Sequence, residues 1–74
     1  MDLEFLWKTS GSGNGDCPSL FKTNGGYIAV GKILNSDDLD QVHTAGRANN
    51  SGIGPDETAV FIPADVLDRL REIA

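Results

Sequence analysis

The sequence predicts a small α+β domain: an antiparallel β-sheet of three or four strands with a C-terminal helix packed on one face. Three observations predict it. Cys17 to Leu34 holds two apolar, strand-forming runs on either side of Asn24-Gly25-Gly26, the composition of a tight hairpin turn. Glu57 to Ile62 is a further run of strand character, with Val60 and Ile62 opposing Ala59 and Phe61. Pro63 ends that run and opens the segment Ala64 to Ala74, where Val66, Leu67, Leu70 and Ile73 form an apolar stripe at helical spacing.

In chain order, residues 2–9 come first. Leu3, Phe5 and Trp7 alternate with Glu4, Leu6 and Lys8, which suits a strand with one buried face. Ser10 to Asp16 reads as a Gly/Ser loop. Cys17-Pro18 starts the hairpin, Pro18 lacking a donor and belonging at a strand start or edge. The second hairpin strand sets Ile28, Val30 and Lys32 on one face and Tyr27, Ala29, Gly31 and Ile33 on the other. Both faces are largely apolar. The C-terminal helix accounts for one; if the other is uncovered, a partner is expected there, with Tyr27, Ala29 and Ile33 the first positions to mutate, and the sequence does not say which face is exposed. Gly31 marks a bulge or a close approach of another backbone.

Asn35-Ser36-Asp37-Asp38 is a helix start, with a capping side chain followed by carboxylates at the positive end of the dipole. Leu39, Val42 and Ala45 give this helix a narrow apolar stripe over two to three turns, and Gly46 suits its C-cap. Arg47 to Asp56 shows no periodicity and reads as a mobile surface loop. In the last helix Asp65 and Asp68 sit early and Arg69 and Arg71 late, as the dipole favours.

The chain is read as one domain, residues 1–74, close to the size at which a single core is only marginally sufficient. One cysteine excludes an intrachain disulfide, and one Cys with one His cannot complete a four-ligand zinc site. A protein partner, including a second copy as a homodimer, is therefore the expected supplement. A net charge of −5 is repelled by phosphate backbones, which disfavours direct nucleic-acid binding and suits docking on a basic protein surface. The run Phe5-Leu6-Trp7 is too short for a secretory core or a membrane span, so a cytoplasmic protein without membrane contact is expected.

No pattern for chemistry emerges. Gly11-x-Gly13 is followed by Asp16 where a dinucleotide fingerprint needs its third glycine, and no Lys-Ser/Thr follows for a phosphate loop. Asp37, Asp38 and Asp40 lack the central Gly and terminal Glu of a calcium loop. His43 reads as a surface side chain, and nothing local pairs it with Cys17 as base and nucleophile. The expectation is a protein that is not an enzyme, with no catalytic, cofactor-binding or metal-binding residues.

The combination FLWKTSGSGNGDCPSLF, GGYIAVGKIL and ETAVFIPADVLDRL resembles the small acidic actinobacterial proteins of the BldB-like group. The matching residues are Trp7, Lys8, Thr9, Ser10, Gly13, Cys17, Val60, Phe61 and Pro63. The run Cys-Pro-Ser-Leu and the segment Asn35 to Asp56 depart from that group, as a sister family would. The resemblance implies a gene beside a helix-turn-helix regulator, and a small partner that binds the regulator and alters its DNA binding, as an antitoxin or anti-regulator does. It also implies self-association.

The expected function is thus a non-catalytic protein-interaction module, the accessory partner of a helix-turn-helix transcriptional regulator. The alternatives are a homo-oligomeric structural protein without a regulator and a small-ligand-binding module. Trp7, Phe21, Tyr27, Ala29, Ile33 and Phe61 are the interface candidates.

Overall fold

The computed structural model describes residues 1–10, 15 and 17–73. Most of the expected Gly/Ser loop, Gly13 with it, lies outside the described residues, as does Ala74. The chain is an α+β fold. Strands β1 (Glu4–Lys8), β2 (Ser19–Thr23), β3 (Gly26–Val30) and β4 (Lys32–Ile33) precede helix α1 (Ser36–Arg47). Then follow strand β5 (Val60–Phe61), helix α2 (Ala64–Asp68) and a 3-10 turn over Arg69–Glu72. The strands form two sheets rather than one. The first is antiparallel in the order β1-β2-β3, and the second is the antiparallel pair β4-β5.

The hairpin forms where the sequence places it, with Thr23 opposite Gly26. Only Gly25 takes a positive φ, 83°, while Asn24 does not. That is the sign pattern of a type II turn, not of the primed turn that Asn-Gly most often makes. Gly31 divides the two sheets. A Cβ there would collide with the Phe61 carbonyl oxygen and lie 3.1 Å from Val60 Cγ2, so β5 reaches its pairing distance only because residue 31 has no side chain. The close approach expected at Gly31 is therefore present.

β1 departs from simple alternation. Phe5 pairs with Phe21 and Trp7 with Leu20, so the register shifts at Leu6. A β-bulge places two residues of one strand opposite one of its partner, and it turns the following side chain to the other face. Phe5 and Trp7 consequently lie on opposite faces of the sheet, not on one as the alternation Leu3-Phe5-Trp7 implies.

The core lies on the Trp7 face. Leu20 is 1% exposed and Val66 of α2 is 0% exposed. The Trp7 Nε1–H donates to the Val66 carbonyl oxygen at 2.7 Å, and the Arg69 guanidinium sits 4.8 Å from the centre of the Trp7 ring. Among the described residues, Cys17, Ser19, Leu20 and Val66 are the buried ones. Leu67 and Ile73 are exposed, so the expected stripe of the last helix is only partly used. The expected helix to residue 74 is shorter too. It is α-helical for five residues and then tightens into the 3-10 turn. Pro63 stands at the N-cap position, one residue before the helix proper.

α1 starts as expected. The Asn35 side chain accepts from the Asp38 N–H at 2.8 Å, and Asp37 and Asp38 occupy the first turn. Its end differs, because Gly46 lies inside the last turn and Ala48 is the C-cap. Gly46 is required for another reason. Its carbonyl accepts from the Asn49 and Ser51 N–H groups, and a Cβ on it would collide with the Ser51 carbonyl oxygen. The segment read as a mobile loop is thereby tied to α1. Asn50 takes the left-handed conformation at φ 57°, a region that Asn tolerates. The Asn49 side chain donates to the Ala45 carbonyl, and the Ile53 N–H donates to His43 Nδ1 at 3.0 Å. His43 is half-buried and acts as a structural acceptor, not as the loose surface side chain expected.

Candidate interaction surface

Two apolar surfaces stand out. The first is the face of the β1-β2-β3 sheet opposite α2. The register sets Phe5, Phe21 and Ile28 side by side across the three strands. Phe5 is 56% exposed, and Ile28 and Val30 are exposed as well. Phe5 meets Phe21 edge-on, with ring centres 5.5 Å apart. By the same register Lys8, Thr23, Gly26 and the buried Ser19 also lie on this face, and among the described residues Lys8 is the charged side chain that the pairing places there.

The second surface is the β4-β5 ribbon. Ile33 is 91% exposed and Phe61 57%, with Val60 beside Ile33 in the pairing. α1 begins three residues after Ile33, and its first turns carry Asp37, Asp38 and Asp40. The strongly exposed Ile33 therefore shortly precedes, along the chain, a concentration of negative charge.

The six residues named from the sequence divide between these places. Ile33 and Phe61 are on the ribbon. Phe21 is half-buried on the open sheet face. Tyr27 and Ala29 are exposed but share the face of Leu20 and Lys22, the one over which α2 packs. Ile28 and Val30 lie on the face of β3 away from α2, while Tyr27 on the α2 side is 48% exposed, as Val30 is. α2 follows Trp7, which the bulge at Leu6 turns to the Leu20 side. Trp7 is half-buried in the seam with α2, with its ring N–H committed to Val66. Phe5, Ile28 and Val30 were not among the candidates. The signal that would have found them is the triple Phe5-Leu6-Trp7, which breaks strict alternation as a bulge does.

A clasp joins the end of β1 to the start of α2. The Asp65 carboxylate accepts from the Thr9 hydroxyl at 2.8 Å, the Ser10 N–H at 2.7 Å and the Ser10 hydroxyl at 3.2 Å. These donors, the Ser10 N–H foremost and the Thr9 hydroxyl next, hold its pKa below the ordinary aspartate value. A shallow depression of about 400 Å³ lies beside Pro18, Val30 and Lys32, and Lys32 is the charged residue on its lining. Among the described residues, no three His, Cys, Asp or Glu side chains converge as metal ligands would. Among them, too, no helix is long and apolar enough to cross a membrane.

Compared with protein-family models, with curated proteins and with solved structures, the chain matches none.

Proposed function

We propose that this protein is a non-catalytic interaction module of the cytoplasm, the accessory partner of a helix-turn-helix transcriptional regulator, and that it docks through the β4-β5 ribbon. The observation that carries the reading is Ile33, an isoleucine 91% exposed on a strand beside the acidic start of α1. The ribbon sets Ile33 and Val60 on one face and Phe61 with Lys32 on the other, and the chain runs from it into the carboxylates of α1. An exposed aliphatic patch followed in the chain by carboxylates is complementary to a surface that mixes apolar side chains with Lys and Arg. The DNA-contacting side of a helix-turn-helix domain has that chemistry, since phosphate binding requires basic residues. The resemblance to the BldB-like group supplies the class of partner.

The mechanism has two parts. The acidic side chains raise the encounter rate with a basic surface, and burial of Ile33 with its cross-strand neighbour Val60 holds the complex. A module seated there competes with DNA phosphates for the regulator's cations and lowers its DNA affinity. The test is co-elution of the protein with the regulator encoded beside it, followed by a DNA-binding assay of the mixture. A complex at micromolar concentration that weakens operator binding is expected. Separate elution at every ionic strength tried would overturn the proposal.

A further inference from the structure

We infer that the outer edge of β3 is a strand-addition site, taking an extended segment of another protein that carries a carboxylate at the end beside Val30. The argument starts from hydrogen bonding. Thr23 and Gly26 flank the two-residue turn and form its hydrogen-bonded pair. Along an antiparallel ladder such pairs alternate with pairs that are not hydrogen-bonded. Ile28 therefore bonds to Phe21 and Val30 to Ser19, whereas Tyr27 and Ala29 direct their N–H and C=O groups away from β2. β3 ends the order β1-β2-β3, and among the described residues no further backbone group pairs with Tyr27 or Ala29.

The other edges differ. Proteins blunt an exposed edge with charge, proline, a bulge or a short strand. β1 has Glu4 and Lys8 at its ends and a bulge between Phe5 and Trp7. β4 and β5 have two residues each. β3 has five, without charge, proline or a break in register. Its residues from Tyr27 to Val30 are exposed on both faces, so an added strand meets side chains above and below the sheet. Backbone pairing with contacts at alternate side chains is how added strands are held.

Charge narrows the occupant. Lys32 follows Val30 by two residues, and both line the depression of about 400 Å³, where among the described residues Lys32 is the charged one. Asp2 and Glu4 lie instead with Lys22 and Asn24, toward the turn. A carboxylate on the incoming segment is therefore matched at the Val30 end. The net charge of −5 opposes it little, since exposed charges more than about 8–10 Å away are screened at physiological salt. A second copy offering its own Gly26–Val30 brings no carboxylate to Lys32, so the edge suits a foreign segment. The inference does not rest on a regulator docking at the ribbon.

The test uses the whole chain, labelled with nitrogen-15, and a capped peptide of about seven residues that alternates Val and Thr and has Glu at each end. Saturable shifts centred on the Tyr27 and Ala29 amides are expected, with slower exchange of both and a Kd of roughly 0.1 to 1 mM. Replacing the peptide's amide links by esters removes its N–H donors and is expected to weaken binding at least roughly tenfold. A counterpart with Lys at each end is expected to bind roughly threefold less tightly, and Lys32→Ala to erase that difference. Ala29→Pro removes an outward N–H at an edge position and is expected to lose binding. Trp7 fluorescence reports whether that variant is folded, and the ester comparison needs no variant. No saturable shift at millimolar peptide, shifts centred on β1 or the ribbon, or an ester peptide that binds as tightly overturns the site. Equal binding of the Glu and Lys peptides overturns the carboxylate. A free protein of twice 7.9 kDa, with the Tyr27 and Ala29 amides already slow to exchange, shows the edge taken by a second copy and overturns the foreign segment. None of these outcomes bears on whether a regulator binds the ribbon.

Discussion

Asp65 shows how much one side chain does in a molecule with so small a core. Its carboxylate gathers three donors from Thr9 and Ser10, fifty-six and fifty-five positions away along the chain. A carboxyl whose native pKa lies below its unfolded value stabilises the fold above the unfolded pKa, near 4, and loses that contribution as pH falls through the native value. Asp65→Asn is therefore expected to be less stable than the wild type at pH 7, with the gap closing as the pH is lowered below about 4. Urea melts at pH 7 and pH 3 check this, and a gap that stays constant would contradict the role given to Asp65. Gly31 is the second such position. Gly31→Ala drives a methyl group into backbone, which cannot give as a flexible side chain can, and is expected to cost about 1–3 kcal/mol in the same melts. Of these two, Gly31 was legible as a close approach, because a glycine inside a strand pattern has few other reasons to be there. Asp65 read only as a dipole partner, since its donors lie at the far end of the chain.

At the scale of elements, hairpin, helix start and the strand before Pro63 follow from local chemistry, and local chemistry is what a sequence displays. The Asn35 cap belongs to this class. Asn35→Ala is expected to cost about 1 kcal/mol and to lower helical ellipticity, measurable by far-UV circular dichroism during a thermal melt. The segment after α1 was less legible. Its residues have no periodicity, yet Gly46, Asn49 and His43 each tie it down by hydrogen bonds. His43→Ala leaves the Ile53 N–H without its acceptor and is expected to cost about 1 kcal/mol, with faster amide exchange at Ile53 and its neighbours. Which face of β3 lies away from α2 was not legible, for a nonlocal reason. It depends on a bulge in β1 and on a tryptophan meeting a helix fifty-nine residues later. Strand alternation alone does not carry that information.

The whole molecule has a two-sided economy. α2 packs on one side of the first sheet and builds the core around Leu20 and Val66, leaving Tyr27 and Ala29 on that side exposed. The other side and the β4-β5 ribbon keep their apolar residues in solvent. A chain of this size gains stability by covering such surfaces. The central proposal is that the β4-β5 ribbon, which leads into the acidic start of α1, takes a basic partner. It is tested most directly by titrating the protein into the helix-turn-helix regulator at low and at physiological salt, with wild type and with Ile33→Thr. Ile33 is so exposed that its replacement by another β-branched residue leaves the fold intact. Saturable binding that weakens with salt is expected, with Ile33→Thr binding at least roughly tenfold less tightly. Equal affinity of the two proteins, or no binding at either salt concentration, would contradict it.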